Sequence, residues 1–183
     1  MIFACFSLGK SYNNGSGLHL LGGHDIVVSG NAIAHHLRGG VDLRDAWGCT
    51  VTGNNFVLVH EFSVRVSAAA GRHTITGNQF TNSYVGDGKL KRAAGIQGPN
   101  QMQLDACAGI VLEETADIVV NGNQFSGLTT RAVEARGRCI RLLVTHNLVT
   151  DYGRGLPAGT SPIEPGETTQ SVFEPNLIGA ENP

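Results

Sequence analysis

Apolar and polar residues alternate along this chain in short runs, such as LHL at 18–20, VDL at 41–43, VRV at 64–66 and IVL at 110–112. Alternation with a period of two places successive side chains on opposite faces, which is typical of β-strands and not of helices. Glycine, asparagine and other turn-forming residues separate the runs and end each strand after a few positions. The pattern therefore predicts many short strands joined by tight turns.

One seven-residue pattern returns along the chain and sets its period. It reads TVTGNNF at 50–56, TITGNQF at 74–80 and VVNGNQF at 119–125, with weaker copies VVSGNAI at 27–33 and LVTHNLV at 143–149. The spacings between its asparagines are 23, 24, 45 and 24 residues, for Asn31, Asn54, Asn78, Asn123 and Asn147. A period in the low twenties is typical of a solenoid. The double-length gap indicates either a coil with a degenerate turn or one coil with a long insertion.

The residues around each asparagine predict which side chains fill the core. The aliphatic residues three positions earlier are Val28, Val51, Ile75, Val120 and Val144, and the bulky residues two positions later are Ile33, Phe56, Phe80, Phe125 and Val149. Coils that stack about 4.8 Å apart, as neighbouring strands do, would turn these positions into apolar ladders. Asparagine tolerates the left-handed conformation of a sharp turn, and stacked amides can bond from coil to coil. We interpret the Gly-Asn pair as scaffold and not as a catalytic group.

The pattern G-[VI]-x-[VL] followed by [IVC]-x-[VI]-x-G-N-x-[FI] resembles right-handed parallel β-helix proteins of the pectate-lyase-like superfamily, over roughly residues 17–152. The resemblance implies an all-β, right-handed parallel β-helix of about five to six coils with three short strands per coil. We expect an N-terminal cap or the end of a preceding coil at 1–16, the β-helix at 17–152 with an inserted loop at about 83–108, and an irregular C-terminal tail at 153–183. This fold carries many functions, so the motif leaves the activity open.

Composition narrows the classes of partner. The chain of 183 residues suits one domain, its formal net charge is −2, and only 15% of its residues are charged, so no broad basic field is available for nucleic acid. The sequence has no apolar run long enough to span a membrane, and its start, MIFACFSLGK, lacks the features of a signal peptide. The resemblance implies an extracellular or periplasmic protein, and the sequence does not exclude a cytoplasmic one. The four cysteines have no C-x-x-C spacing and are expected to be buried free thiols.

Charged residues crowd onto one predicted face. In families of this fold, ligand clefts commonly lie along the outer face of the first strand of each coil, so the resemblance implies a site there. The two outward columns on that face are His19, Asp42, Arg65, Val111 and Glu134, and then Leu21, Arg44, Ser67, Glu113 and Arg136. One interpretation is a solvated surface with Asp42–Arg65 and Glu113–Arg136 pairs, which contribute ~0–1 kcal/mol each when exposed.

The other interpretation is a groove for a polysaccharide or oligosaccharide, and we expect an acidic one. In β-elimination or epimerisation of a uronate, a cationic clamp neutralises the carboxylate while a base removes the C5 proton. Arg44, Arg65 or Arg136 is the candidate clamp, and His19 is the candidate base. In glycoside hydrolysis two carboxylates flank the bond, and neighbouring coils would place Glu113 and Glu134 roughly 5 Å apart. The candidate catalytic residues are His19, Asp42, Arg65, Glu113 and Glu134. The candidate substrate-binding residues are Arg44, Arg136 and, on the inserted loop, Lys89, Lys91 and Arg92.

No metal-binding set is predicted. No pair of histidines has metal-ligand spacing, and the sequence lacks a tight aspartate cluster like the calcium site of pectate lyases, so calcium is only a candidate cofactor implied by the resemblance. His73 shares a column with Ile26, Cys49 and Ile118, which predicts either a core histidine or a local shift of register.

A non-catalytic function is the main alternative. A solenoid has unpaired strand edges at its ends, and these could join a second copy or a partner. A structural or adhesive module, or a fragment of a larger surface protein, is therefore the rival to an enzyme.

Overall fold

All regular structure in the described part of the chain is β-strand. The computed structural model describes residues 15–82, 107–152 and 156–179. The strands are β1 (Leu18–Leu21), β2 (Val27–Ser29), β3 (Ala32–Ala34), β4 (Gly39–Arg44), β5 (Thr50–Thr52), β6 (Asn55–Val57), β7 (Phe62–Ser67), β8 (Thr74–Thr76), β9 (Gln79–Thr81), β10 (Ile110–Glu113), β11 (Ala116–Asn121), β12 (Gln124–Ser126), β13 (Val133–Arg136), β14 (Arg138–Thr145), β15 (Leu148–Thr150), β16 (Ile163–Glu164), β17 (Glu167–Thr169) and β18 (Leu177–Ile178).

The strands form three parallel sheets of six strands each. The first sheet has the order β1-β4-β7-β10-β13-β16, the second β2-β5-β8-β11-β14-β17 and the third β3-β6-β9-β12-β15-β18. Because consecutive strands belong to different sheets and every third strand is a hydrogen-bonded neighbour, the chain winds as a parallel β-helix of six coils. The predicted all-β architecture with three short strands per coil is confirmed.

The 45-residue gap between Asn78 and Asn123 is one coil with an insertion. Strands β7, β8 and β9 pair directly with β10, β11 and β12, so no further coil separates them. The backbone N–H and the Nδ2 of Asn78 each lie 3.0 Å from the Oδ1 of Asn123. The insertion runs between β9 and β10, where residues 83–106, with Lys89, Lys91 and Arg92, lie outside the described residues, as do residues 1–14 of the expected cap.

A sixth coil follows the last predicted one. Strands β16, β17 and β18 pair with β13, β14 and β15, which differs from the irregular tail expected for residues 153–183. Asn176 takes the repeated position, because its Oδ1 accepts hydrogen bonds of 2.9 Å from the N–H and the Nδ2 of Asn147. This copy is hidden in the sequence because Pro175 replaces the glycine and the spacing from Asn147 is 29 residues.

The apolar ladders fill the interior as predicted. The register aligns the valine and isoleucine positions before each asparagine in β2, β5, β8, β11 and β14, and the bulky positions after it in the third sheet. Phe56 stacks on Phe80 with ring centroids 4.9 Å apart, and Phe80 stacks on Phe125 at 4.6 Å. All three rings are fully buried, and burying a phenylalanine stabilises the fold by about 1.5–3 kcal/mol.

The asparagines form a continuous ladder of buried amides. In each step the backbone N–H and the Nδ2 of one asparagine donate to the Oδ1 of the next, from Asn31 through Asn176. The left-handed residue of this corner is the one before the asparagine, for example Gly53 with φ 62° and Gly77 with φ 63°. The expectation that asparagine takes this conformation is wrong: the residue before it does, a glycine in four copies and His146 in the fifth. The amide side chain of the asparagine makes the bonds between coils.

We predict that Asn78→Ala lowers the free energy of unfolding by about 2–4 kcal/mol, because it leaves buried groups unpaired. The Oδ1 of Asn78 accepts from the N–H and Nδ2 of Asn54, and its Nδ2 donates to the carbonyl of Val51. Equilibrium urea unfolding measures the difference. Asn31→Ala is the matched control, since within the described residues no group donates to the Oδ1 of Asn31, and its loss should be clearly smaller. Equal losses for the two variants would contradict the ladder as the source of stability.

Candidate functional site

The outward positions of the first sheet form the two columns expected from the sequence, and we call this surface the charged face. In one column the register pairs His19 with Asp42, Asp42 with Arg65, Arg65 with Val111 and Val111 with Glu134. In the other it pairs Leu21 with Arg44, Arg44 with Ser67 and Glu113 with Arg136. All the candidate site residues that the structure describes therefore lie on one surface of the solenoid.

Asp42 is the centre of the charged face. Its residue exposure is only 2%, although it points away from the apolar core. The Nε of Arg65 donates to Oδ1 at 2.9 Å, and the Nη2 donates to Oδ2 at 2.7 Å. The hydrogen bond with Asp42 raises the pKa of the Arg65 guanidinium, which also lies 4.4 Å from the ring centroid of Phe62. The predicted pairing of Asp42 with Arg65 is confirmed, and it is a bidentate contact with one buried partner.

His19 contacts the same carboxylate from the preceding coil. Its Nε2 lies 3.8 Å from the Oδ2 of Asp42, and its side chain is 52% exposed. This distance is too long for a hydrogen bond, but it allows an ion pair when the imidazole is protonated. Three neighbouring coils thus place a histidine, an aspartate and an arginine in one row.

The pairing of Arg65 changes which cation is free to meet a ligand. Arg65 uses two of its nitrogens on Asp42 and keeps only 21% of its side chain exposed. Arg44 stands two residues beyond Asp42 on β4 and therefore points to the same side of the sheet. It is exposed, and within the described part of the chain it makes no ion pair. Of the predicted clamps near His19, Arg44 is the available one.

The carboxylates of the later coils are arranged differently from the expectation. Glu113 is in register with Arg136, but the Nη2 of Arg136 donates to Glu134 at 2.9 Å, because residues two apart on β13 share a face. The hydrogen bond with Glu134 raises the pKa of Arg136, and the nearby charge of Glu113 adds to it. The predicted Glu113–Arg136 ion pair is therefore replaced by one within β13.

The same register corrects the predicted spacing of the two glutamates. Glu134 is opposite Val111 and not opposite Glu113. An offset of one strand and two residues separates the two backbone positions by about 8 Å, in place of the roughly 5 Å of direct neighbours. With Glu134 also bonded to Arg136, these residues do not form the directly opposed pair of a retaining hydrolase.

Glu164 on the charged face and its partner Arg131 were not predicted from the sequence. Glu164 of β16 is in register with Glu134 and extends the charged face to the sixth coil. Its Oε2 accepts a hydrogen bond of 3.2 Å from the Nη2 of Arg131. The signal in the sequence was the short alternation in SPIEPGET, but its prolines and glycine indicated an irregular tail.

Three histidines lie inside or beside the core. His73 is 1% exposed, and its Nδ1 accepts a hydrogen bond of 3.0 Å from the N–H of Cys49, so the core alternative is confirmed. Burial lowers the pKa of His73, and it likewise lowers those of His36 and His60. In each of the three rings one buried nitrogen lacks a hydrogen-bond partner among the described residues: His36 Nδ1, His60 Nε2 and His73 Nε2.

The thiols and carboxylates supply no metal centre in the described ranges. Cys49, Cys107 and Cys139 are free and buried, as predicted, whereas Cys5 lies outside the described residues. Burial raises the pKa of Cys107 to about 12. Within residues 15–82, 107–152 and 156–179, no three His, Cys, Asp or Glu side chains are placed to hold a metal ion. The same residues include no helix that is long and apolar enough to cross a bilayer.

Comparison with known proteins identifies the architecture. Residues 9–97 match a family described as "Right handed beta helix region". Together with the three parallel sheets, this match shows that the chain is a right-handed parallel β-helix repeat protein. Searches of curated proteins and of solved structures found no match.

We predict that Arg65→Met lowers the free energy of unfolding by about 2–4 kcal/mol, because it leaves the buried Asp42 carboxylate without its main partner. The double variant Asp42→Asn/Arg65→Met should recover much of this loss, since it removes the uncompensated charge. A double-mutant cycle by urea unfolding, with Asp42→Asn as the fourth corner, measures the coupling. Strictly additive effects would show that the pair does not stabilise the face.

The buried histidines predict that stability falls as the pH drops from about 6.5 towards the range in which carboxylates titrate. Their folded pKa values lie below the ordinary 6.5, so the unfolded chain binds protons first as the pH drops. The stabilisation is complete above pH 6.5 and is lost below it, by at most about 1.4 kcal/mol per pH unit for each histidine. Carboxylates titrate mainly at lower pH.

Urea unfolding at several pH values across this window gives the slope, and His73→Leu should flatten it. A flat profile for the wild type, or an unchanged slope in His73→Leu, would contradict the prediction for this residue.

Proposed function

We propose that the charged face binds an acidic polysaccharide and that its first three coils carry out lyase-type or epimerase-type chemistry on a uronate. The observation that supports this most directly is the row of His19, Asp42 and Arg65 beside Arg44, which makes no ion pair among the described residues. The row offers an exposed imidazole next to a buried carboxylate, and Arg44 offers a cation on the same side of the sheet. These are the groups that proton removal next to a carboxylate requires.

The distribution of charge favours the first three coils for an anionic ligand. Within the first-sheet strands of coils one to three, Arg44 and Arg65 stand against one carboxylate, that of Asp42. Within those of coils four to six, Arg136 stands against three carboxylates, those of Glu113, Glu134 and Glu164. The described face is thus net positive near His19 and net negative at the other end, so a polyanion is attracted to the first half.

Each residue of the first half has a defined function in the proposed reaction. Arg44 binds the uronate carboxylate and stabilises the negative charge that develops when the C5 proton leaves. His19 accepts that proton, and Asp42 stabilises the imidazolium that results. Arg65 holds Asp42 in its buried position through the bidentate contact.

The carbanion then has two balanced outcomes. In a lyase the electron pair forms the C4–C5 double bond, the C4–oxygen bond breaks, and the departing oxygen takes up a proton. In an epimerase the pair takes a proton on the opposite face of the ring. Polymers of this kind occur outside the cytoplasm, so the proposal includes an extracellular or periplasmic location.

A non-catalytic binding or structural module is the second candidate. Large apolar side chains are exposed on the first and sixth described coils, with Leu21 at 70% and Leu177 at 69%. Such residues favour contact with further protein. A module that only binds polysaccharide would keep the affinity of the charged face and lack turnover.

We expect the wild-type protein to bind at least one uronic-acid polymer, such as polygalacturonate or alginate. The absorbance of unsaturated products reports a lyase, exchange of the C5 hydrogen in deuterated water reports an epimerase, and reducing ends report hydrolysis. Arg44→Ala should weaken binding about tenfold or more, because a charge-assisted contact is worth about 1.5–3 kcal/mol. His19→Ala should retain binding and lose turnover.

The matched control is Arg138→Ala, which removes an exposed arginine from β14 in the second sheet. Equal effects of Arg44→Ala and Arg138→Ala would indicate nonspecific attraction and contradict the proposed site. Absence of binding to every uronic-acid polymer would overturn the proposed function. Binding without turnover would favour the second candidate.

A further inference from the structure

The only tryptophan of the chain lies at a surface corner. The sequence contains one tryptophan, and Trp47 occupies the turn between β4 and β5, three residues after Arg44. It is partly exposed, whereas Phe56, Phe80 and Phe125 fill the core. Its indole N–H makes no hydrogen bond within the described residues. An aromatic ring with a free donor at the surface is a common feature of binding sites.

The neighbouring coils leave space for this ring and place a cation beside it. Trp47 is aligned with His24 on one side and Gly71 on the other. A Cβ at position 71 would come within 2.7 Å of the carbonyl oxygen of Ala116 and 3.1 Å of the indole of Trp47, so glycine lets both the next coil and the ring lie close. The guanidinium of Arg72 lies 5.9 Å from the ring centroid, within the range of a cation–π contact. We call Asp25, Trp47, Gly71 and Arg72 the tryptophan corner.

The charges around the tryptophan corner leave Arg72 available to a ligand. The nearest anion on the following coil, Asp117, receives two hydrogen bonds from Arg141, at 2.5 and 2.9 Å. The hydrogen bond from Arg141 lowers the pKa of Asp117, with a smaller effect from Arg72. Arg72 is exposed and has no ion pair among the described residues. On the other side, the carboxylate of Asp25 lies over Gly48, next to Trp47.

We infer that the tryptophan corner is a further sugar-binding subsite for a uronate residue of the same polymer that the charged face binds. The inference rests on the proposed function. The C–H face of a pyranose packs on an indole ring, and Trp47 offers that surface with its N–H free to donate. Arg72 binds the sugar carboxylate on the side of the third coil, and Asp25 accepts hydrogen bonds from hydroxyl groups on the side of the first coil.

The position of the corner extends the charged face. Trp47 follows Arg44 on the second coil after a turn of two residues, Asp45 and Ala46. A uronate chain held at Arg44 therefore reaches the tryptophan corner only when it is longer than the part that covers the charged face. The subsite predicts affinity that rises with chain length through Trp47 and Arg72.

Fluorescence tests the inference directly, because the chain has one tryptophan. Short and long oligogalacturonates are titrated while calorimetry records binding and emission records Trp47. We expect long oligomers to change the emission and short ones to bind with little change. Arg72→Gln should weaken the binding of long oligomers about tenfold and leave the binding of short ones unchanged. For long oligomers, Trp47→Phe should keep most of the added affinity, and Trp47→Ala should lose it.

The outcomes separate this inference from the proposed function. Calorimetric binding of long oligomers with no change in emission and no effect of Arg72→Gln would overturn the subsite and leave the charged face intact. Absence of calorimetric binding with any uronate would overturn both. Arg138→Gln is the control for a general loss of positive charge, and an effect equal to that of Arg72→Gln would also overturn the subsite. Arg72 is exposed, so its variant tests the subsite even if Trp47→Ala does not fold.

Discussion

The row of buried asparagine amides is the interaction on which the rest of the structure depends. Each step joins two coils through two hydrogen bonds to one Oδ1, and the row continues from Asn31 to Asn176. A parallel strand could otherwise slip by one residue, which would turn every core side chain outward. In this chain such a slip would leave buried donors and acceptors without partners. The amides therefore set the register of the apolar ladders and of the outer columns together.

The corners impose the second constraint. Directly after the first five first-sheet strands, the residues Gly22, Asp45, Ala68, Glu114 and Gly137 all have positive φ. The next corner repeats this with Asp25, Gly48, Arg72, Asp117, Arg141 and Gln170. A left-handed conformation costs a residue with a Cβ about 1–2 kcal/mol, so the register of the stacked coils must offset that cost at Ala68, Arg72 and Arg141. Arg72, at one of these corners, lies beside Trp47.

The sequence predicted those features that repeat at a constant spacing. The Asn and Phe positions recur every 23 or 24 residues over most of the chain, so the core ladders and both outer columns could be assigned before any coordinates were known. The total of five to six coils was expected, but the place of the sixth within residues 153–183 was not, because Pro175 and a spacing of 29 residues obscure its copy of the pattern. The pattern also could not predict the backbone conformation, because a Gly-Asn pair does not show which of its two residues has positive φ.

Side-chain pairing at the site depends on local geometry, which the alignment of outward positions from coil to coil does not predict. The columns place Arg136 opposite Glu113, yet Arg136 bonds Glu134 on its own strand. The columns also present Arg65 and Arg44 as equivalent outward cations. Only Arg65, on the neighbouring strand, bonds both oxygens of Asp42. The burial of Asp42 was hidden as well, because an outward aspartate is normally exposed. Choosing between the cations therefore required the contacts themselves.

The amide row and the candidate site are linked by this architecture. His19, Asp42 and Arg65 come from three successive coils, so their row exists only while the coils keep their register. The sheet spacing fixes their separation at about 4.8 Å per coil without any loop to adjust it. A rigid array of this kind suits a repeating polymer better than a small compact ligand, because regularly spaced groups on the protein can meet regularly spaced groups on the chain. For the same reason, weakening the row near Asn54 should disturb the site by shifting coils against one another, even though Asn54 lies far from the charged face along its coil.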